Sequence, residues 1–255
     1  MKKPTLVLVH SFPTNHIILK GLIDYLKRYF VVHYIDLPGF INDIPPLSSV
    51  SIKNYARYLE KKIKKAGIKK YWLAGISFGF IVANNVHDED CLGIVAIEPY
   101  INADFLMLPK RKKILLRMIL DIMSRLSFED TLLTHKSLKR LLRYGLLSED
   151  YPADQLHTMK ATINPRALIE TGELILKNKK RPIFQDKPYV LIINKKDTIV
   201  NSKLILQLFS KRVKKLIVIE TTCAHFPSEI IPEYFDSHIN KSDMNALIKY
   251  MRIVR

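Results

Sequence analysis

Tyr71-Trp72-Leu73-Ala74-Gly75-Ile76-Ser77-Phe78-Gly79-Phe80-Ile81-Val82 is the stretch on which the reading of this chain turns. Tyr71–Ala74 is apolar throughout, as a buried strand is. Phe78–Val86 reads as a helix. Between them, Gly75-Ile76-Ser77-Phe78-Gly79 is a G-x-S-x-G. Five residues of that kind are by themselves equally an ordinary glycine-flanked turn. The context adds the information: a strand that turns sharply into a helix through such a serine is a nucleophile elbow. The tight turn leaves no room for neighbouring Cβ atoms, and glycine has none. Ser77 then projects its hydroxyl above the sheet, at a helix N-terminus whose dipole favours negative charge.

Working outward, the same kind of short apolar run recurs at Thr5–Val9, Val31–Ile35, Leu92–Ile97, Tyr189–Ile193 and Leu216–Ile219. Runs that are apolar at every position suit a parallel sheet covered on both faces. Helical patterns lie between them at Ile17–Tyr29, Ser51–Ala66, Ser202–Phe209 and Met244–Met251. Ser51 is placed as an N-cap and Gly67 as the stop of its helix. Strand–helix alternation predicts an α/β fold, a doubly wound and mainly parallel sheet of about six strands.

The alternation breaks once, over residues 101–184. Helical segments at Lys110–Leu126, Leu132–Leu147 and Ala167–Lys177 fill it. In the first, Ile114, Leu115, Met118, Ile119, Ile122, Met123 and Leu126 form the expected apolar face. The chain therefore reads as one domain over 1–255, with its core in 1–100 and 185–255. A helical lid at 101–184 is inserted between the fourth and fifth strands, over the strand ends where such sheets hold their ligands.

Two further residues fall at the same edge as Ser77. Asp197 ends the fifth strand, after Ile193-Asn194-Lys195-Lys196. His225 follows the sixth by a short loop, Thr221-Thr222-Cys223-Ala224. A serine hydroxyl is a poor nucleophile near neutral pH. An imidazole must take its proton, and a carboxylate must hold that imidazole in the right tautomer. In isolation Asp197 is a turn residue and His225 a loop residue. Their shared edge and the order Ser, Asp, His argue for a catalytic triad.

With His10-Ser11-Phe12-Pro13 after the first strand and Asp36-Leu37-Pro38-Gly39-Phe40 after the second, the chain resembles the α/β-hydrolase superfamily over nearly its whole length. The resemblance implies a lid-bearing, carboxylesterase-like serine hydrolase that works through an acyl-enzyme. It implies an oxyanion hole built from the backbone N–H groups of Phe12 and Phe78. It also offers Glu98, at the end of the fourth strand, as an alternative triad acid. Two positions depart from the family pattern. Ser11 stands where glycine is usual, which puts a Cβ in the oxyanion loop, and Phe80 stands where a small residue is usual, which implies different packing at the elbow. His10 is expected to be structural and Asp36 a turn residue. Serine at position 77, where dehalogenases and epoxide hydrolases of this fold use aspartate, points to acyl transfer. Thioester or C–C bond hydrolysis remains an alternative to ester hydrolysis, as does a non-catalytic ligand-binding protein that kept the fold.

The composition narrows the rest. The formal net charge is +17. The lysines are spread along the whole chain with no nucleic-acid module beside them, so no nucleic-acid partner is expected. The insertion is basic at Lys110, Arg111, Lys112, Lys113, Arg117, Arg125, Lys136, Lys139, Arg140 and Arg143. That charge suits a small acyl substrate that is anionic or carrier-bound, and equally a weak contact with an anionic membrane surface. The resemblance reaches esterases acting on chains held by acyl carrier protein, which share an Asp-Leu-Pro-Gly-Phe segment. The oligomeric state is left open. Cys91 and Cys223 have no zinc spacing, so no metal is expected, and acyl hydrolysis needs only water, so no cofactor is expected. The Lys2-Lys3 start imitates a signal peptide, but its apolar run ends at His10-Ser11, and a cytoplasmic location is expected.

Overall fold

A computed structural model describes residues 2–125, 153–227 and 230–253. Its strands are β1 (Thr5–Val9), β2 (Val31–Ile35), β3 (Tyr71–Ile76), β4 (Cys91–Ile97), β5 (Tyr189–Asn194) and β6 (Leu216–Thr221). They form one sheet in the order β2-β1-β3-β4-β5-β6, with every pairing parallel. The helices are α1 (Lys20–Lys27), α2 (Ile52–Lys65), α3 (Phe78–Ala83), α4 (Lys110–Arg125), α5 (Ala153–Thr162), α6 (Pro165–Lys177), α7 (Ser202–Arg212), α8 (Pro232–His238) and α9 (Lys241–Ile253). The expected helix at Leu132–Leu147 lies outside the described residues, and α5 and α8 are additions to the sequence reading. None of the described helices is long and apolar enough to cross a membrane.

The unbroken apolar strands have their explanation in two covered faces. Successive side chains of a strand point to opposite sides. Val7 and Val9 of β1 join Tyr55 and Leu59 of α2, Phe80 of α3 and Phe209 of α7 on one face. Leu6 and Leu8 join Leu22 and Leu26 of α1 and Leu247 and Met251 of α9 on the other. Local signals set the helix starts. Ser51 Oγ accepts from Asn54 N at 3.1 Å at the head of α2, and Gly67, at φ +63°, follows its end. Asn164 caps α6 ahead of Pro165.

The order places a switch point between β1 and β3. From β1 the chain passes through α1 to β2 on one side; from β3 it passes through α3 to β4 on the other. The crevice at their carboxyl ends is where a doubly wound sheet offers a site. β3 runs two residues further than the pattern implied, so Gly75 lies inside it, in register with Val9.

The segment between β4 and β5 joins the core. Leu156 and Met159 of α5 and Leu168 and Ile175 of α6 belong to the same apolar cluster as the α2 face of the sheet. Tyr55 and Thr171 share a hydroxyl–hydroxyl hydrogen bond of 2.8 Å, and the Tyr100 hydroxyl donates to the Ile175 carbonyl at 2.6 Å. Gly172 brings α6 close to its neighbours: a Cβ there would lie 3.2 Å from Leu120 Cδ1 and 3.4 Å from Phe12 Cζ.

One expected face is corrected. On α4 the buried residues are Leu116 and Leu120, while Ile114, Leu115, Met118 and Ile122 are exposed. Apolar residues occur on more than one side of this helix, so periodicity does not select the packed side. Leu120 lies against Gly172 of α6, and Leu116, one turn earlier on the same side of α4, is buried with it. Leu126, the last member of the expected face, lies outside the described residues.

Candidate active site

Ser77 sits between the end of β3 and the start of α3, at φ +48° and ψ −114°. A non-glycine residue with positive φ is strained and persists only where its surroundings hold it. Ser77 N donates to the Ile97 carbonyl at 2.9 Å, and Ser77 O accepts from Phe80 N at 3.0 Å and Tyr100 N at 3.1 Å. The two glycines of the motif are sterically required. A Cβ on Gly75 would lie 2.4 Å from Gly79 O, and one on Gly79 would lie 2.4 Å from His10 O and 2.8 Å from Val9 O. Gly79 thus lets α3 rest against the end of β1.

Phe80 does not loosen this elbow. It is fully buried, and its ring packs against Phe209 with centroids 5.6 Å apart. The large side chain is accommodated by α7, which sequence proximity could not reveal.

Asp197 and His225 meet Ser77 from the ends of β5 and β6. His225 Nδ1 lies 2.7 Å from Asp197 Oδ2, and His225 Nε2 lies 3.0 Å from Ser77 Oγ. The imidazole and carboxylate are almost wholly buried, with side chains 2% and 0% exposed. The second oxygen, Asp197 Oδ1, accepts from Ile199 N at 2.6 Å and Val200 N at 3.0 Å. Burial pushes Asp197 upward, but the hydrogen bond and charge of His225, a hydrogen bond from Glu98 and the Val200 N–H outweigh it and hold the group below the usual carboxylate range. An ionised Asp197 can only accept, so Nδ1 carries the proton and Nε2 is left to accept from the serine hydroxyl.

Glu98, the alternative acid, stands one strand away and does not touch His225 Nδ1 in this way. It ends β4 at φ +42°, its N–H donating to the Ile192 carbonyl at 2.8 Å. Its carboxyl group lies against that of Asp197, to which a protonated Glu98 donates. Burial first, and the neighbouring Asp197 second, push its pKa up to about 10. Glu98 is therefore a neutral carboxylic acid at neutral pH. Glu98, Asp197 and His225 each bring one donor atom within 4.8 Å of the others. The Asp197 and His225 atoms already bond each other or the backbone, so a metal ion there would have to displace those bonds.

The loop after β1 is tightly wired. His10 is fully buried and is structural: Nδ1 donates to Ser11 O at 2.7 Å, and Nε2 accepts from Leu37 N at 2.9 Å. Burial lowers its pKa and keeps it neutral. Ser11 is accommodated without a positive φ. Its hydroxyl bonds the Thr14 hydroxyl at 2.9 Å, and its carbonyl accepts from Thr14 N at 3.1 Å, so the Cβ is absorbed by a local turn. Phe12 is buried beneath α6. Phe78 opens α3, where the first N–H groups have no partner within the helix. Asp36 does more than turn the chain: it accepts from His16 N at 3.0 Å and pairs with His16 Nδ1 at 2.5 Å.

Sequence reasoning missed the residues that hold the histidine loop. Asn194 Nδ2 donates to Cys223 O at 2.8 Å, and Ala224 N donates to Tyr234 Oη at 2.8 Å. The Asp197 loop is held in turn by residues following β4, with Met107 N donating to Ile199 O and Asn201 N to Phe105 O, each at 2.8 Å. An asparagine at a strand end three residues before the acid was the available signal for the first of these contacts.

No family model matches the sequence, and no curated protein matches it. Solved structures do. A thermophilic esterase from Thermogutta terrifontis superposes with a TM-score of 0.66 at 16% identity, over 99% of this chain and 91% of that one. The N-acyl homoserine lactonase AidH gives 0.67 at 14% identity, over 99% and 90%. A hydrolase from Oleispira antarctica gives 0.69 at 13%, over 99% and 92%. With its all-parallel sheet, its serine elbow after β3 and this likeness along its whole length, the chain has the α/β-hydrolase fold.

Proposed function

We propose that the protein is a serine hydrolase that cleaves an acyl substrate, a carboxylic ester, through an acyl-enzyme. One observation carries the reading: an unbroken relay from Ser77 Oγ to His225 Nε2 at 3.0 Å and from His225 Nδ1 to Asp197 Oδ2 at 2.7 Å. The names of the structural neighbours, esterases and a lactonase, support an ester or lactone carbonyl as the target.

In this mechanism His225 Nε2 takes the Ser77 proton as Oγ attacks the carbonyl carbon. The carbonyl π pair moves to oxygen, and the backbone N–H groups of Phe12 and Phe78 receive the resulting oxyanion. Asp197 stabilises the imidazolium without itself taking the proton. Collapse expels the alkoxide, which His225 protonates. Water then repeats the sequence, with His225 as its base, and releases the acid. The described helices of the insertion, α4, α5 and α6, serve as the lid, with α6 lying over Phe12.

The test is incubation with a fluorophosphonate probe beside a p-nitrophenyl ester series. Labelling of Ser77, with turnover that disappears in Ser77→Ala, is the expected result. A folded protein with neither labelling nor turnover overturns the reading in favour of a ligand-binding role.

A further inference from the structure

On the face of the sheet opposite α2 and α3, a cavity of about 90 Å³ lies directly behind His225. Its far wall is wholly apolar, with Leu22 and Leu26 from α1, Val95 from β4, and Leu247 and Met251 from α9. Its other end abuts the active site through Glu98, Thr221 and His225.

Two features of this cavity are costly when it is empty. The apolar wall loses dispersion contacts across the void, and such a space does not hold ordered water, which needs polar partners. At the polar end, the proton of Glu98 is directed at Asp197, while its second carboxyl oxygen and the Thr221 hydroxyl, which lies beside Cys223, make no further hydrogen bond of normal geometry among the described residues. Glu98 and Thr221 are only 5% and 7% exposed. Buried polar groups in folded proteins are normally satisfied. A water molecule would answer the polar end alone. An apolar chain with one polar terminus answers both.

We propose that this cavity binds an uncharged linear amphiphile, a straight alkyl chain ending in a hydroxyl or primary amide, with the polar end held by Glu98 and Thr221 and the chain running between α1 and α9. The ligand must be neutral at that end, because a carboxylate would be buried beside the ionised Asp197. Glu98, with its proton directed at Asp197, accepts through its other oxygen, and the Thr221 hydroxyl donates or accepts, which matches a hydroxyl or an amide. Since His225 forms part of the cavity wall, an occupant also packs against the imidazole from behind. Ser77 is not among the residues that line the cavity, and the proposal does not depend on the hydrolase reading.

The test is titration of the whole protein with n-hexanol and, separately, with hexanoate. Methionine-methyl NMR spectra and thermal unfolding give the readouts, and neither needs turnover. Hexanol is expected to shift the Met244 and Met251 methyls, which line the cavity, to leave Met107 and Met118 unmoved, and to raise Tm with concentration. Hexanoate is expected to do neither. Thr221→Val should weaken hexanol binding about fivefold by removing one partner, and Leu247→Trp, which fills the space, should abolish it. If Leu247→Trp does not fold, the wild-type methyl map and Thr221→Val still decide. Unperturbed Met244 and Met251, equal binding of hexanoate, or hexanol binding undiminished in a folded Leu247→Trp would each overturn the proposal.

Discussion

Glu98 and Asp197 end neighbouring strands with their carboxyl groups side by side and buried, and the two are held in opposite protonation states. Asp197 has donors on both oxygens, from His225 on one and the backbone N–H groups of Ile199 and Val200 on the other. Glu98 has none. Two like charges at this separation in a dry site would repel strongly, so the one with donors keeps its charge and the other keeps its proton.

The two acids should therefore behave differently on substitution. Asp197→Asn is expected to lower kcat by about 10⁴-fold, because the imidazole loses the partner that sets its tautomer. Glu98→Gln leaves a neutral group of the same shape and is expected to change kcat by less than about tenfold. Steady-state kinetics on one ester measures both. A larger loss in Glu98→Gln than in Asp197→Asn would reverse the assignment.

The same pair predicts a pH dependence of stability. Glu98 has a folded-state pKa of about 10 against an ordinary 4.5. Its contribution is fully present below the ordinary value. It declines as pH rises, because the unfolded chain releases a proton that the folded one retains, and it is exhausted once pH passes the folded value. Asp197, held low, contributes in the opposite sense: its share is present above the usual carboxylate value and is lost on acidification. Urea unfolding between pH 5 and 9 should show wild-type stability falling relative to Glu98→Gln. A constant difference across that range would refute the assignment.

Gly79 is predicted to tolerate no side chain. In Gly79→Ala the new Cβ meets the carbonyl oxygens of His10 and Val9, which are backbone atoms that cannot rotate away. Separation of α3 from β1 is expected to cost on the order of 1–3 kcal/mol and to remove fluorophosphonate labelling. Thermal unfolding together with the labelling assay checks it.

Asn194→Ala removes the donor that fixes the Cys223 carbonyl, two residues before His225. The histidine loop should then sample positions in which Nε2 is out of reach of Ser77. About a tenfold fall in kcat with little change in KM is expected, since even a small misplacement is costly for a proton-transfer group. Tyr234→Phe removes the acceptor for Ala224 N and is expected to act in the same direction.

On α4, Lys110, Arg111 and Arg117 are exposed beside Ile114, Leu115 and Met118. Replacing the three cations by glutamate is expected to slow turnover of an anionic or carrier-bound ester several-fold and to leave p-nitrophenyl acetate unaffected. The slowing should shrink as salt is raised, because exposed charges are screened. Equal effects on both substrates would separate this surface from substrate recruitment.

What the sequence by itself determined was everything encoded locally. Apolar runs without alternation marked the strands, because a strand covered on both faces has no polar side. Gly75 and Gly79 around Ser77 marked the turn, because only glycine leaves room for the backbone there. The positions of Asp197 and His225 after their strands followed from the rule that parallel strands end at one edge. What tertiary structure alone decided depended on neighbours remote in sequence. Phe80 fits because Phe209 lies against it, and Leu116 and Leu120 rather than Ile114 and Met118 face inward because Gly172 lets α6 approach. Glu98 is neutral because burial and Asp197 act on it together. Asn194 and Tyr234 hold the histidine loop from other elements. The cavity behind His225 has walls from α1, β4 and α9, and no single segment of the chain contains a trace of it. Burial and electrostatics sum over contacts in space, and the order of residues along the chain records only the contacts that are also close in sequence.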